Sequence, residues 1–375
     1  MALAQTSVVR HFGGLPDPRQ KRRRLHSLCD MISIALCAVI CGAESWEDVA
    51  EYGRQKESWL KTFLRLPHGI PSHDTFNRVF RLLKPQPFQA CFQRWMQSLV
   101  EATQGRLVAI DGKTLRHSFD RAAGTSALHL ISAWAVENGV SLGQQAVAGK
   151  SNEITAVPEL LKLLELEGAI VTYDAMGCQK EIAQAIREQG ADYILAVKDN
   201  QPRLAEDLMA SFAEAFEGER GETYRLRAMN ENGHGREERR EYVVVRDLSK
   251  IRDRHLWPDL RSLAMVCSER TIHGQTSTEA RYFISSCTGS ARQIAGAIRG
   301  HWGIENTLHW SLDVTFGEDA HCLRKDHGPE NMAALRRAAL SLVKQERAEK
   351  GSLRRKRLRA GWNNAYLEKL LKYGS

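Results

Sequence analysis

Three acidic residues stand where carboxylates do metal chemistry. "RLVAID" (106–111) is a short apolar run that ends on Asp111 and is followed by "GKT". "AIVTYDA" (169–175) repeats the pattern at Asp174, and "RGHWGIENTLHW" (299–310) sets Glu305 with a histidine four residues to either side. An aspartate at the carboxyl end of a buried strand lies on the edge where ligands of parallel sheets bind. Converging carboxylates repel one another unless a cation sits between them, and an all-oxygen donor set favours Mg2+ or Mn2+ over zinc. Two such ions about 3.5–4 Å apart activate a water or a 3′-hydroxyl and stabilise the leaving oxygen of a phosphodiester transfer. That is the chemistry the three acids point to together. Singly, they have other readings. An Asp before Gly is also a turn former. His301, Glu305 and His309 on one helical stripe also suit a zinc site or a packed face, although the stripe has no cysteine nearby and no HExxH spacing. In the magnesium reading the two histidines orient the carboxylate or contact phosphate. Lys113 is either a contact to the scissile phosphate or a solvated charge. Trp302 and Trp310 either pack the helix or stack on a base.

The elements that position these residues are legible from periodicity. Residues 1–105 read as an all-helical domain. It holds a core helix at about 26–43, a second at 45–64 with Ser45 and Asp48 as its capping pair, a third within 66–83 capped by Ser72 or Asp74, and a fourth at 85–103. The texture changes at Arg106. Strands are expected at 106–111, 127–136 and 139–147, the last two joined by the turn "ENG". Then come a helix at 155–168 with Pro158 in its first turn, a strand at 169–175, a helix at 178–190, a strand at 192–198 and a helix at 202–217. The order β-β-β-α-β-α-β-α is that of the ribonuclease-H-like fold, a three-stranded meander feeding parallel crossovers. It makes the first and fourth strands neighbours and sets Asp111 beside Asp174. Residues 221–288 read as a mostly β insertion, and 290–312 and 329–348 as helix. The fold class is therefore α/β: a ribonuclease-H-like core with a β-rich insertion, preceded by an all-helical N-terminal domain. The expected domains are 1–105, 106–348 and a basic C-terminal tail, 349–375.

Charge is unevenly spread along the 375 residues. Residues 1–105 carry 14 Lys/Arg against 9 Asp/Glu and residues 321–375 carry 14 against 5, whereas the middle carries 25 against 31. Basic flanks around an acidic centre suit a protein that grips a polyanion at its ends and keeps carboxylates for metal in the middle. "KRRR" (Lys21, Arg22, Arg23, Arg24) is as common on a solvated surface as on a nucleic-acid face. "RRKRLR" (354–359, with Arg354, Arg355, Lys356 and Arg357) tips the reading towards DNA. The eight cysteines form no CxxC pair and read as reduced. The longest apolar run, 31–43, is too short to span a bilayer, and the first twelve residues lack a signal-peptide pattern. A cytoplasmic, nucleoid-associated protein with no membrane partner is expected.

Six motifs in order carry a resemblance to a known family: "GIPSHDTFNRVF" (69–80), "AIDGKTLR" (109–116), "KSNEITAVPELL" (150–161), "VTYDAMGCQKEIA" (171–183), "DYILAVKDNQ" (192–201) and "RGHWGIENTLHWSLDVTFGED" (299–319). The chain resembles, over its full length, the DDE transposases of bacterial insertion sequences, in the subfamily of the H-repeat-associated proteins. The resemblance implies a catalytic triad of Asp111, Asp174 and Glu305 holding Mg2+ or Mn2+, two ions in all. It implies double-stranded DNA partners, namely the element's terminal inverted repeats and a target. It also implies cleavage with strand transfer, and a homo-oligomer on DNA. A nuclease without joining activity, or a DNA-binding remnant that has lost its chemistry and acts as a repressor, are the other readings. Related transposases keep a Tyr and an Arg seven and four residues before the Glu and a Lys seven after it. Here those positions are Ile298, His301 and Leu312. His301, Arg299 and Lys325 are the candidates to take over phosphate contacts.

Overall fold

The computed structural model describes residues 8, 10–100, 107–121, 124–147, 153–217, 223–227, 231–233 and 236–373. Residues 1–7, Arg106 and the first three residues of "KSNEITAVPELL" lie outside them. In chain order the main helices and strands begin with α1 (Leu28–Cys41), α2 (Trp46–Gln55), α3 (Glu57–Leu60), α4 (His73–Leu82) and α5 (Pro85–Leu99). Next come β1 (Leu107–Thr114), β2 (His129–Ala135), β3 (Val140–Val147), α6 (Glu153–Leu161), β4 (Ile170–Tyr173), α7 (Lys180–Glu188), β5 (Asp192–Val197) and α8 (Pro202–Glu217). The strands β6 (Thr223–Arg227), β7 (Glu231–Gly233), β8 (Arg236–Val245), β9 (Ser262–Ile272) and β10 (Gln275–Ser285) follow. The chain closes with α9 (Ala291–His301), α10 (Gly328–Gln345), α11 (Leu353–Trp362) and α12 (Asn364–Leu371). The architecture is mixed α/β, in two compact units: residues 1–102, 112–152 and 304–375 form one, and residues 103–111 and 153–303 the other.

The first unit is built on α1. Its run of Met, Ile, Leu, Val and Ala is buried almost all round, so the segment is a core helix and not an amphipathic one. Ser27 accepts a hydrogen bond from the Asp30 amide at the start, and Gly42 ends the helix in the left-handed region (φ +118°). Ser45 and Asp48 form a reciprocal capping box on α2. Ser72, not Asp74, caps α4 by accepting from the Thr75 amide. α10 is also buried over most of its length and packs on α1, α4, α5 and β3. β2 and β3 are antiparallel around a turn in which Gly139 has φ +66°. The last residues of β1 lie beside β2: the Leu115 amide donates to the Leu128 carbonyl, and Thr114 Oγ1 is 2.8 Å from His129 Nδ1. Residues 353–371 are no tail. They fold as α11 and α12, and α11 packs on α1 and α12 on α10.

The second unit is a sheet in the order β1-β4-β5-β10-β9-β8-β6. β1, β4 and β5 are parallel, and β10 joins β5 antiparallel through Tyr282–Ser285. The strands expected as an insertion therefore extend the sheet from its β5 edge, which removes an unpaired ladder. α6 differs from the periodicity reading. It includes Glu153 and stops at Leu161, so Pro158 falls in its second turn and residues 162–164 close in turns. All eight cysteines are free, and among the described residues no single helix is long and apolar enough to cross a membrane.

Candidate active site

In the second unit, the pairing of β1 with β4 runs Leu107↔Ile170 to Ile110↔Tyr173. Asp111 and Asp174 are the next residues on their strands, so the two carboxylates leave the sheet at equivalent positions on adjacent parallel strands, which lie roughly 4.8 Å apart. The residues before them are apolar and buried, Val108, Ile110, Val171 and Tyr173 among them, and these hold the strand ends in place. Asp174 is also fixed by its own backbone: its carboxylate accepts from the Met176 amide at 3.0 Å and caps the 3₁₀ turn Ala175–Gly177. That turn explains the glycine of "DAMG". A Cβ at Gly177 would stand 1.9 Å from Cδ1 of Tyr173.

Behind the pair lies a third acid that the sequence reading did not single out. Glu153 is buried, and Tyr173 donates its hydroxyl to Glu153 Oε2 at 2.8 Å. Its signal was available: Glu153 falls at i−4 from Val157 on the apolar stripe Val157, Leu160, Leu161 and Leu164, where a charge is out of place. Desolvation at the strand edge, then the charge of Asp111, then that of Glu153 raise the Asp174 carboxyl above its ordinary value, against the amides of Gly177 and Met176. His301, at the end of α9, is held at Nδ1 by Thr172 Oγ1, 3.0 Å away on β4. Burial lowers its imidazole pKa and the charge of Asp111 opposes that shift. Asp111, Asp174, Glu153 and His301 thus form one electrostatic group on β1, β4, α6 and α9.

Glu305 belongs to the first unit. At the expected stripe of His301, Glu305 and His309 the α-helix ends at His301 and the chain continues in wider π turns, Ile304–His309 and Ser311–Thr315. Glu305 is exposed there and His309 buried. Among the described residues, no three His, Cys, Asp or Glu side chains are grouped as a metal site. Ile298 and Leu312 are buried core residues. Trp302 and Trp310 are exposed, and the Arg281 guanidinium lies 4.6 Å over the Trp302 ring.

The cationic expectations separate into two groups. Lys113 is not free for a phosphate. Its side chain is 11% exposed and its ammonium pairs with Asp313, with Glu318 at 3.5 Å and with Asp319 at 3.2 Å. Glu318, itself fully buried, accepts from Arg337 at 2.7 Å. Arg357 is likewise buried: it donates to the carbonyls of Val39, Ile40 and Thr315 and lies 4.0 Å over the Phe316 ring. Lys356 is half-buried, with its ammonium donating to the Glu346 carbonyl. Lys21, Arg22, Arg23, Arg24, Arg299, Lys325, Arg354 and Arg355 are exposed. Arg24 is partly engaged, since Nε donates to the Arg19 carbonyl and lies 3.6 Å from Asp17. Arg357→Ala should therefore cost about 3 kcal/mol by stranding buried carbonyls. Arg354→Ala and Arg355→Ala should stay within about 0.5 kcal/mol of the parent. Chemical denaturation of the three variants checks this contrast.

The chain belongs to the DDE transposases. The family described as "Transposase DDE domain" matches residues 102–342, and the one described as "DDE_Tnp_1-associated" matches residues 9–96. Among its relatives, "Putative transposase YncI" of Escherichia coli O157:H7 is 39% identical over 97% of this chain and 94% of that protein. "H repeat-associated putative transposase YhhI" of Escherichia coli K12 is 38% identical over 97% of each. Among solved structures, the chain aligns with the piggyBac transposase in its synaptic complex with hairpin DNA. That alignment, at 12% identity and TM-score 0.45 over 99% of this chain and 77% of the other, is too distant to carry an argument.

Proposed function

We propose that this protein binds the terminal inverted repeats of its own element, cuts at the ends and joins the freed 3′-hydroxyls to target DNA. The observation that carries the reading is the register of β1 and β4, which brings Asp111 and Asp174 to one sheet edge in a chain of the DDE transposase family. In this reading the strand order β3-β2-β1 of the first unit and β1-β4-β5 of the second make a ribonuclease-H-like core within residues 106–348. Residues 1–105 are a helical DNA-binding domain. Lys21–Arg24, Arg299, Arg354 and Arg355 contact DNA, and the protein works as a homo-oligomer on it.

Asp111 and Asp174, with Glu305, would hold Mg2+ or Mn2+, two ions in all. The donor chemistry fits: two carboxylates crowded enough to raise the Asp174 pKa are relieved by a divalent cation, and oxygen ligands are what Mg2+ takes. Bound there, the ions supply Lewis acidity for the attacking and leaving oxygens. The chain's own residues do the rest. The Met176 amide and the 3₁₀ turn fix Asp174, Tyr173 and Glu153 back its strand, and Thr172 holds the His301 ring at Nδ1.

A strand-transfer assay on DNA carrying the element ends, with Mg2+, tests this. Joined product is expected. Nicked product alone would mean a nuclease without joining activity, and a mobility shift without cleavage would mean a DNA-binding remnant.

A further inference from the structure

The segment 246–261, between β8 and β9, is a rigid loop that presents cations over an open groove. Leu248, Ile251, Trp257 and Leu260 anchor it in the core. Its polar groups are tied down around that anchor. Arg252 donates from Nε to Asp207 Oδ1 at 2.6 Å and from Nη2 to Glu206 at 2.9 Å, and its amide donates to Asp207 Oδ2 at 3.0 Å. Asp259, held at φ +52°, accepts from Arg187 at 2.9 Å, and Tyr193 donates its hydroxyl to the Pro258 carbonyl at 2.9 Å. So Arg252 and Asp259 neutralise elsewhere. What remains is Arg254, His255 and Arg261, all exposed, none with a carboxylate partner among the described residues, and all lining a groove of about 560 Å³.

Two guanidiniums without a carboxylate partner among the described residues are an unusual use of charge on a loop where Arg252 is paired to Glu206 and Asp207. Guanidinium forks match phosphate oxygens bidentately. The groove is open, which suits a chain passing across it better than an enclosed small molecule. Its position also matters. Arg187 links Asp259 to Asp192, the first residue of β5, whereas Asp174 follows the last residue of β4, and β4 and β5 are parallel. The loop therefore sits at the opposite edge of the sheet from Asp111 and Asp174.

We infer that Arg254 and Arg261 bind the phosphodiester backbone of duplex DNA at a place remote from the reacting strand, holding flanking or target DNA without reading its sequence. The inference rests on the transposase reading for its partner. The test is equilibrium binding of the full-length protein to duplexes of unrelated sequence across a salt series. Each phosphate contact contributes about 0.9 to the slope of log Kobs against log salt, so Arg254→Ala with Arg261→Ala should lower that slope by about 1.8. Between 50 and 200 mM salt the double variant should accordingly lose about tenfold less affinity than the parent. Cleavage at saturating DNA should be unchanged. Lys162→Ala with Arg203→Ala removes the same net charge from exposed residues that are paired to Glu159 and Asp253, and should leave the slope at the parent value. An unchanged slope in the loop variant, or an equal fall in the control, overturns the inference and leaves the transposase reading standing. A parent protein that binds no duplex at all overturns both.

Discussion

Asp111→Asn and Asp174→Asn are each expected to lower DNA cleavage by on the order of a thousandfold while raising the melting temperature in metal-free buffer. The first effect follows from removing a ligand worth several kcal/mol of charge stabilisation in the transition state. The second follows from the geometry: the carboxylates stand at equivalent positions on neighbouring strands, and burial and then the charge of Asp111 push the Asp174 pKa up. A carboxyl whose folded pKa lies above its unfolded value costs stability at pH above the folded pKa. That cost fades as pH falls through it. Neutralising Asp174 removes the cost and neutralising Asp111 removes the part due to its charge, so the gain should be present at neutral pH and shrink in acid. Adding Mg2+ should raise the parent's melting temperature and move the Asn variants much less. Differential scanning calorimetry with and without Mg2+, beside a cleavage assay, reads both arms. A variant that cleaves normally, or whose melting temperature responds to Mg2+ as the parent's does, removes that residue from the site.

The largest loss of stability is expected from Glu318→Gln. Burial alone would raise the Glu318 pKa, but Arg337, Lys113 and Arg336 outweigh it and hold the carboxyl below its ordinary range. Removing the anion leaves those three cations in the first unit with too little compensation, at a cost of about 3–5 kcal/mol. That is a large part of the 5–15 kcal/mol typical of a folded domain. Removing Arg337 at the same time, as Glu318→Leu with Arg337→Met, takes away one charge of each sign and should cost much less than the two single changes summed. The pH sign is opposite to that of Asp174. A depressed carboxyl stabilises above its unfolded pKa and loses that contribution as pH falls through the folded value. The parent should therefore weaken below about pH 4.5, and Glu318→Gln should lose this component of its acid sensitivity. Urea titrations at neutral and acid pH check it, and equal costs for the single and double variants would show that the cluster is not balanced in this way.

These two predictions draw on different parts of the information in the chain. The capping box at Ser45 and Asp48, the buried helix α1, the turn at Gly139 and the neighbouring strands that carry Asp111 and lead to Asp174 were all legible in the sequence itself. Each depends on an interaction within a few residues or on a burial period that the sequence repeats. The family followed from six such local motifs.

What the sequence left open was decided by contacts far apart in the chain. Lys113 and Arg357 read as cations for DNA because type and charge are all that a sequence displays. Most of their partners lie 200 or more residues away, at Asp313 for Lys113 and at Val39 and Ile40 for Arg357, and only the packing of α11 on α1 and of Asp313–Asp319 on the end of β1 selects them. Glu153 looked like an ordinary acid at a helix start until Tyr173 was found against it. Burial and pairing of charge are tertiary quantities, so the sequence by itself determined where the two aspartates stand, while the folded chain decided which of its cations are buried and which are exposed.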